Sequence, residues 1–154
     1  MRVIAGSARG RRLKTLEGMD VRPTTDKVKE AIFSAIQFDL PDAAVLDLFA
    51  GSGQMGIEAL SRGAASVVFV DRSARSLQVT RENLESVQFA EQAQLHQTEA
   101  QSFLQSTAMQ FDIAIPRRIE RACMKSCCRC WQNIWRIMAL SSANTKPVWK
   151  CPSL

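Results

Sequence analysis

The stretch Val45-Leu-Asp-Leu-Phe-Ala-Gly-Ser-Gly-Gln-Met-Gly56 decides the fold. Its apolar start, from residue 44 to 49, predicts a short buried strand. Three glycines follow with the spacing G-x-G-x-x-G, and a short helix over 55–61 comes directly after them. Glycine in such a loop permits a sharp turn and a close approach of the backbone to a ligand. The stretch therefore predicts a strand, a ligand-binding turn and a helix.

Strand and helix patterns continue to alternate on the C-terminal side of this stretch. Apolar runs predict strands over 66–70, 94–97 and 111–115, and helical spacing predicts helices over 73–87 and 99–109. In the first of these helices Ser73 is the predicted N-cap, and four residues point inward: Leu77, Thr80, Leu84 and Val87. Such alternation indicates an α/β fold with a parallel sheet covered by helices.

The N-terminal side carries a basic segment and one helix. Residues 2–13 predict a strand, loop or hairpin, which is either a solvated terminus or an arm that contacts phosphates. Thr25 is the predicted N-cap of the helix, with Asp26 favourable in its first turn. The helical spacing predicts a core-facing stripe of apolar residues: Val28, Ala31, Ile32, Ala35 and Ile36.

Two acidic residues indicate the ligand of the glycine turn. Asp71 ends the second strand, 20 residues after Gly51, where a carboxylate accepts both ribose hydroxyls of an adenosine. Asp47 lies near the C-terminal end of the first predicted strand, where its carboxylate suits a cationic amino group. These residues favour S-adenosylmethionine over NAD. An NAD(P)-dependent oxidoreductase is the alternative.

Residues 2–115 resemble RsmD-type 16S ribosomal RNA guanine-N2 methyltransferases. The resemblance lies in RVIAGSARGRRL (2–13), RPTTDKVKEAIFSAI (22–36) and VLDLFAGSGQMGIEALSRGA (45–64). It implies a Rossmann-like methyltransferase fold with an RNA-contacting N-terminal extension. It also implies a cofactor set and an RNA-facing set. The cofactor set is Asp47, Phe49, Ala50, Gly51, Ser52, Gly53 and Asp71; the RNA-facing set is Arg2, Arg9, Arg11, Arg22 and Lys27.

The sequence departs from this family after the fourth strand. The family carries Asp-Pro-Pro-Tyr or Asp-Pro-Pro-Phe there, which holds the flipped guanine. Here Ile115 is followed by Pro116-Arg-Arg-Ile, and the chain contains no tyrosine, so no catalytic residue is assigned. Asp112 is at the wrong end of its strand to substitute. Codons compatible with residues 116–126, regrouped in another frame, encode Pro-Pro-Tyr; we therefore hypothesise a frameshift near residues 113–116.

The composition changes abruptly at the same place. The chain has a net charge of +5, but residues 116–154 hold eight basic residues against one acid, and they contain all five cysteines and all three tryptophans. A zinc site, an RNA-binding tail and a packed helix are alternatives to the frameshift for this tail. The predicted division is 1–40 as extension and helix, 41–115 as cofactor-binding core, and 116–154 as an aberrant tail.

Several function classes are excluded or disfavoured. No apolar run is long enough to span a membrane, and the start has no continuous apolar stretch typical of a secretory signal, so a cytoplasmic protein is expected. A monomer is expected because no extra apolar face is evident, and no metal ligand is assigned. His96 is interpreted as a structural or surface residue without a catalytic role. The expected substrate is 16S rRNA or the assembled small subunit. Cofactor binding is expected to be weakened, and turnover absent or nearly so, because the guanine-holding motif is missing. A non-catalytic RNA-binding module is the second alternative.

Overall fold

A computed structural model of the chain describes residues 1–16 and 25–116. It contains one parallel sheet with the strand order β3-β2-β1-β4. The strands are β1 (Ala44–Leu48), β2 (Ser66–Asp71), β3 (Ala93–Gln97) and β4 (Ile113–Pro116). The helices are α1 (Asp26–Ala35), α2 (Gln54–Ser61), α3 (Ala74–Ser86) and α4 (Ala100–Ser106), with a 3-10 turn over Ala90–Gln92. The predicted α/β architecture is confirmed.

The strand order places the helices on two faces of the sheet. The chain steps outward from β1 to β2 and β3, then returns to the other side of β1 as β4. Because such crossovers are right-handed, α2 and α3 cover one face and α4 covers the other. Phe103 of α4 accordingly packs with Leu46 and Val68, whereas Val45 and Val67 face the other helices. The order reverses between β1 and β4, so a ligand crevice is expected at the carboxyl ends of these strands.

Local sequence signals define the helix boundaries well. Thr25 Oγ1 accepts a hydrogen bond from Val28 N at 3.4 Å, and Ser73 Oγ accepts one from Ser76 N at 3.2 Å, so both predicted N-caps are confirmed. The four predicted inward residues of α3 are buried: Leu77, Thr80, Leu84 and Val87. The fourth helix is shorter than predicted, because it begins at Ala100 and ends at Ser106.

The predicted core face of α1 is confirmed only in part. Ile36 is buried in the core and Ile32 packs against it, but the other three residues do not. Val28 is 48% exposed, and Ala31 and Ala35 are also exposed, whereas Lys29 and Phe33 are fully buried. The helix is rotated so that the larger ring of Phe33 enters the core in place of the small alanines, which bury little apolar area. Lys29 is buried with it because charged and polar partners surround its ammonium, and periodicity does not reveal such partners.

Residues 1–14, which we call the N-terminal arm, form a small hairpin packed on the domain. Arg2 and Arg12 are paired in an antiparallel bridge, and Leu13 N donates to Met1 O at 2.9 Å. Val3, Ala8 and Leu13 are buried in the same core cluster as the first three helices. The interpretation as a solvated terminus is therefore wrong: the arm is part of the folded domain.

Three further sequence expectations concern single features. Asp112 lies at the start of β4, where Oδ2 accepts Ala44 N at 2.8 Å, so its position away from the crevice is confirmed. The half-buried ring of His96 packs 5.1 Å from that of Phe103. Within the two described ranges, no helix has the length and apolar character that crossing a membrane requires. The expectations for Arg22 and for the tail after Pro116 lie outside the described residues.

Candidate functional site

The glycine turn follows β1 in an unusual backbone conformation. Phe49, Gly51 and Gly53 all have left-handed φ angles, of 63°, 60° and 76°. Phe49 is not a glycine, and a side chain in this region costs about 1–3 kcal/mol, a strain that clusters at ligand sites. Phe49 is 43% exposed, so burial of its side chain does not offset this strain. The turn is thus held in a backbone conformation that Phe49 by itself does not favour.

The two predicted carboxylates hold opposite sides of this turn. Asp47 is fully buried, and its Oδ2 accepts a hydrogen bond from Gly56 N at 3.0 Å. Asp71 Oδ2 accepts from Gly51 N at 2.9 Å, and its Oδ1 accepts from Ser73 N at 2.8 Å. The structure therefore brings the acids of β1 and β2 together around the glycines, as the sequence pattern predicts.

Helix α3 supports the turn from behind. Thr80 Oγ1 donates to Gly51 O at 2.9 Å, and Asn83 Nδ2 donates to Ser52 O at 2.9 Å. A Cβ atom on Gly53 would lie 2.7 Å from Thr80 Cγ2, so only glycine fits there. Two buried side chains thus fix the carbonyls of Gly51 and Ser52, while the Gly51 amide is bound by Asp71.

The third glycine brings α2 against the sheet. A Cβ atom on Gly56 would lie 2.3 Å from Cε1 of Phe69 and 2.8 Å from Cγ1 of Val67. Without a side chain, α2 packs directly on β2 and its first turn follows the glycine turn. This is the helix–strand contact that the third position of G-x-G-x-x-G provides.

Polar atoms at the start of α2 fit a polar ligand. Ser52 is 2% exposed and Gln54 is fully buried. Ser52 Oγ, Gln54 Oε1 and Gln54 Nε2 have no hydrogen-bond partner among residues 1–16 and 25–116. Buried polar groups are almost always hydrogen-bonded. These three atoms suit a ligand that has both hydrogen-bond donors and acceptors.

A buried charged cluster, formed by Lys29, Glu58 and Arg62, joins the arm to α1 and α2. Glu58 is fully buried and accepts from Ile4 N at 2.8 Å and Ala5 N at 3.0 Å. Its carboxylate also accepts from Arg62 Nε at 2.9 Å and lies 3.9 Å from Lys29 Nζ. Burial lowers the pKa of Lys29 from its ordinary value of 10.5, and Glu58 partly opposes this shift.

The basic residues of the arm lie on its outer side. The side chains of Arg9 and Arg11 are exposed, as is that of Lys27 in the first turn of α1. Arg2 pairs with Asp26 at 3.3 Å through Nε, and its side chain is 67% exposed. The arm thus presents positive charge outward while its apolar residues enter the core. Arg22 lies outside the described residues.

Sequence reasoning missed Gln54, Glu58 and Lys29. A signal for the first two was present, because Gln54, Glu58 and Ser61 recur at i, i+4 and i+7 on a helix that is otherwise apolar. Such a polar stripe on a buried helix predicts a polar partner on that face. Ser61 confirms this: its Oγ accepts from Ala8 N at 3.0 Å and donates to Ala5 O at 2.6 Å. No comparable signal marks Lys29.

The sequence matches the family described as "Conserved hypothetical protein 95" over residues 1–115. The chain belongs to this family. Relatives in it include YlbH of Bacillus subtilis, 47% identical over 108 residues, which are 70% of this chain and 59% of that protein. Another is ribosomal RNA small subunit methyltransferase D of Escherichia coli, 39% identical over 104 residues, which are 68% of this chain and 52% of that protein. The resemblance inferred from the three sequence stretches is confirmed.

Solved structures agree with the fold of this family. That of yhhF from Escherichia coli superposes with a TM-score of 0.68 at 38% identity, over 74% of this chain and 61% of that one. An O-methyltransferase from Bacillus cereus in complex with SAH has a TM-score of 0.61 at 12% identity, over 75% of this chain and 53% of that one, and shows the fold alone. The fold is that of the Rossmann-like methyltransferases. The chain spans about half to three fifths of the length of the curated relatives that it matches.

Proposed function

We propose that this chain is the cofactor- and RNA-binding part of an rRNA methyltransferase that transfers a methyl group from S-adenosylmethionine to the N2 amino group of a guanine in 16S rRNA. The observation that carries the proposal is the glycine turn held between Asp47 and Asp71. The membership of a family that includes an rRNA small subunit methyltransferase supports the choice of reaction and of RNA. The neighbour in complex with SAH supports the choice of donor.

The residues of the turn divide the donor between them. Asp71, at the end of β2, would accept the ribose hydroxyls. Gly51 and Gly53 would hold the methionine part together with Asp47, which would supply negative charge for the cationic amino group. When bound, S-adenosylmethionine supplies an electrophilic methyl group on its sulfonium. The protein contributes position, because in-line transfer requires only that the nitrogen lone pair face that methyl group.

The expected result is donor binding without turnover. The chain keeps the turn but has no Asp-Pro-Pro-Tyr sequence to hold the guanine. Calorimetry with S-adenosylhomocysteine should detect binding, weaker than that of the Escherichia coli relative. A filter assay with labelled donor and small subunits lacking the methyl group should give no incorporation. Binding of NADH in place of S-adenosylhomocysteine would contradict the proposal and favour an oxidoreductase.

The N-terminal arm should supply phosphate contacts. Reversing two exposed charges, Arg9→Glu with Arg11→Glu, should weaken RNA binding and reduce the slope of log K against log salt by roughly one unit or more. The measurement is fluorescence anisotropy of an rRNA fragment between low and moderate salt. Arg81→Glu, on the exposed side of α3, is the control for charge alone. An equal loss in both variants would mean that the arm has no special role.

A further inference from the structure

Asn83 of α3 joins the N-terminal arm to the glycine turn. Its Oδ1 accepts a hydrogen bond from Lys14 N at 2.7 Å, and its Nδ2 donates to Lys14 O at 3.1 Å. The same Nδ2 donates to Ser52 O at 2.9 Å. A side-chain amide has two N–H groups and one carbonyl oxygen, so a single residue can make all three bonds at once. Asn83 is only 1% exposed, so its bonds are shielded from competing water.

The contact with the arm has two points and is therefore directional. Both backbone groups of Lys14 bind the same amide, as they would bind a neighbouring strand. This contact lies at the end of the hairpin, where Leu13 N donates to Met1 O. Lys14 Nζ also pairs with Glu82 at 2.7 Å, a solvent-exposed contact of the kind that contributes little to stability. The orientation of this end of the arm thus follows the orientation of the Asn83 amide.

The contact with the turn involves the backbone that the proposed function assigns to the methyl donor. Ser52 stands between Gly51 and Gly53, both of which have left-handed φ angles. A change in the turn that moves the Ser52 carbonyl must either reorient the Asn83 amide or break a buried hydrogen bond, and breaking it is unfavourable. A reoriented amide moves Lys14 with it. Movements of the turn and of the arm are therefore linked through one side chain.

We propose that Asn83 is a positioning residue that couples two ligands, so that RNA on the arm and methyl donor in the turn each raise the affinity for the other. This inference rests on the proposed function and adds a link between its two binding surfaces. Each ligand orders one side of the Asn83 bonds, so the second ligand meets a partner that is already ordered. Coupling of this kind is reciprocal and typically changes an affinity by about 5-fold to 150-fold.

The test measures the coupling in the full chain. Fluorescence anisotropy gives the affinity for a labelled 16S rRNA fragment with and without saturating S-adenosylhomocysteine, and calorimetry gives the reverse comparison. Both should show the same increase in affinity, about fivefold or more. Asn83→Ala should bring this ratio of affinities close to one. A purely structural role for Asn83 would lower both affinities or the melting temperature and leave the ratio unchanged.

Two neighbours of Asn83 on α3 provide matched controls. Thr80→Val removes the hydrogen bond to Gly51 O, so it should weaken binding of S-adenosylhomocysteine but keep the coupling. Glu82→Gln removes the ion pair with Lys14 Nζ and leaves the backbone bonds of Lys14 in place, so the coupling should again remain. Loss of coupling in all three variants would overturn the specific role of Asn83.

Hydrogen exchange tests the link without any substitution. Saturating S-adenosylhomocysteine should slow exchange of the Lys14 amide, which Asn83 accepts, severalfold. The Ala8 amide binds Ser61 Oγ at the other attachment of the arm, and its exchange should slow by a smaller factor. Equal slowing of the two amides would reflect general stabilisation by the ligand and would overturn the inference.

Failure of the coupling and failure of the proposed function give different results. An unmodified chain that binds both ligands independently would overturn the coupling alone, and so would coupling that survives in Asn83→Ala. An unmodified chain that binds no S-adenosylhomocysteine, or no RNA, would contradict the proposed function, and the inference would fall with it. The separate affinities of the unmodified chain for each ligand distinguish these cases.

Discussion

Replacing Glu58 with alanine is expected to lower the free energy of unfolding by about 3–5 kcal/mol, the usual cost of removing one member of a buried ion pair. The carboxylate accepts from Ile4 N, Ala5 N and Arg62 Nε, and it is an ion-pair partner of the buried Lys29. Its loss leaves both backbone amides without their acceptor and an ammonium inside the protein. Urea unfolding followed by circular dichroism measures the change.

Two variants decide whether the effect comes from this network. Glu30→Ala, on the exposed side of α1, should change stability by no more than about 0.5 kcal/mol. Combining Glu58→Ala with Lys29→Met should cost less than the sum of the single changes, with a coupling of about 0.5–3 kcal/mol. Strict additivity would mean that Lys29 and Glu58 do not stabilise one another.

The same network gives stability a pH dependence. Burial lowers the pKa of Lys29 below 10.5, so between the lowered value and 10.5 the unfolded chain binds a proton that the folded chain has released. The contribution of Lys29 to stability therefore rises with pH across that window. Lys29→Met should remove this rise, and comparison with the unmodified chain cancels the titration of all other groups. A parallel pH profile in the two proteins would contradict the assignment.

Gly6→Ala is expected to detach the N-terminal arm and to destabilise the protein by about 2–4 kcal/mol, combining overpacking with a left-handed alanine. A Cβ atom on Gly6 would lie 1.7 Å from the backbone oxygen of Ser61, to which Ser7 N donates at 2.7 Å. Because the nearest atoms belong to the backbone of Ser61, no side-chain rotation relieves the collision. Hydrogen exchange should then show lost protection at the amides of the arm.

The chain offers a matched control for this change. Gly10 has nearly the same φ, 82° against 83° for Gly6, but no atom lies within 4 Å of its added Cβ. Gly10→Ala therefore carries the backbone strain without the collision, and the difference between the two variants measures the collision alone. Equal destabilisation would mean that the contact with Ser61 does not hold the arm.

The site could be predicted from sequence where its chemistry is local. The glycine spacing, Asp47 and Asp71 lie within one strand–turn–helix–strand unit, so their meeting follows from the parallel sheet alone. The inward face of α1 could be predicted only in part, because Lys29 and Phe33 enter the core beside Ile36. Lys29 enters the core only with a carboxylate from a helix that begins 25 residues further along the chain.

The packing of the arm against α2 could not be predicted from the sequence either. Its arginines predict exposure, and they are exposed, but the neighbouring Val3 and Leu13 are buried in the main core. The partner surface includes Glu58 and Ser61, whose polar character on a buried helix was the available signal. A local pattern can indicate that a helix face needs a polar partner, but only the tertiary structure shows which segment provides that partner.

The long-range bonds of the arm also set an order of events during synthesis and refolding. Ile4 is 54 residues from its acceptor on Glu58, and Lys14 is 69 residues from its acceptor on Asn83. Closing such long loops is entropically costly until α2 and α3 have formed. The arm is thus among the last segments to dock, and until then its basic residues and unpaired amides remain accessible to chaperones and to RNA.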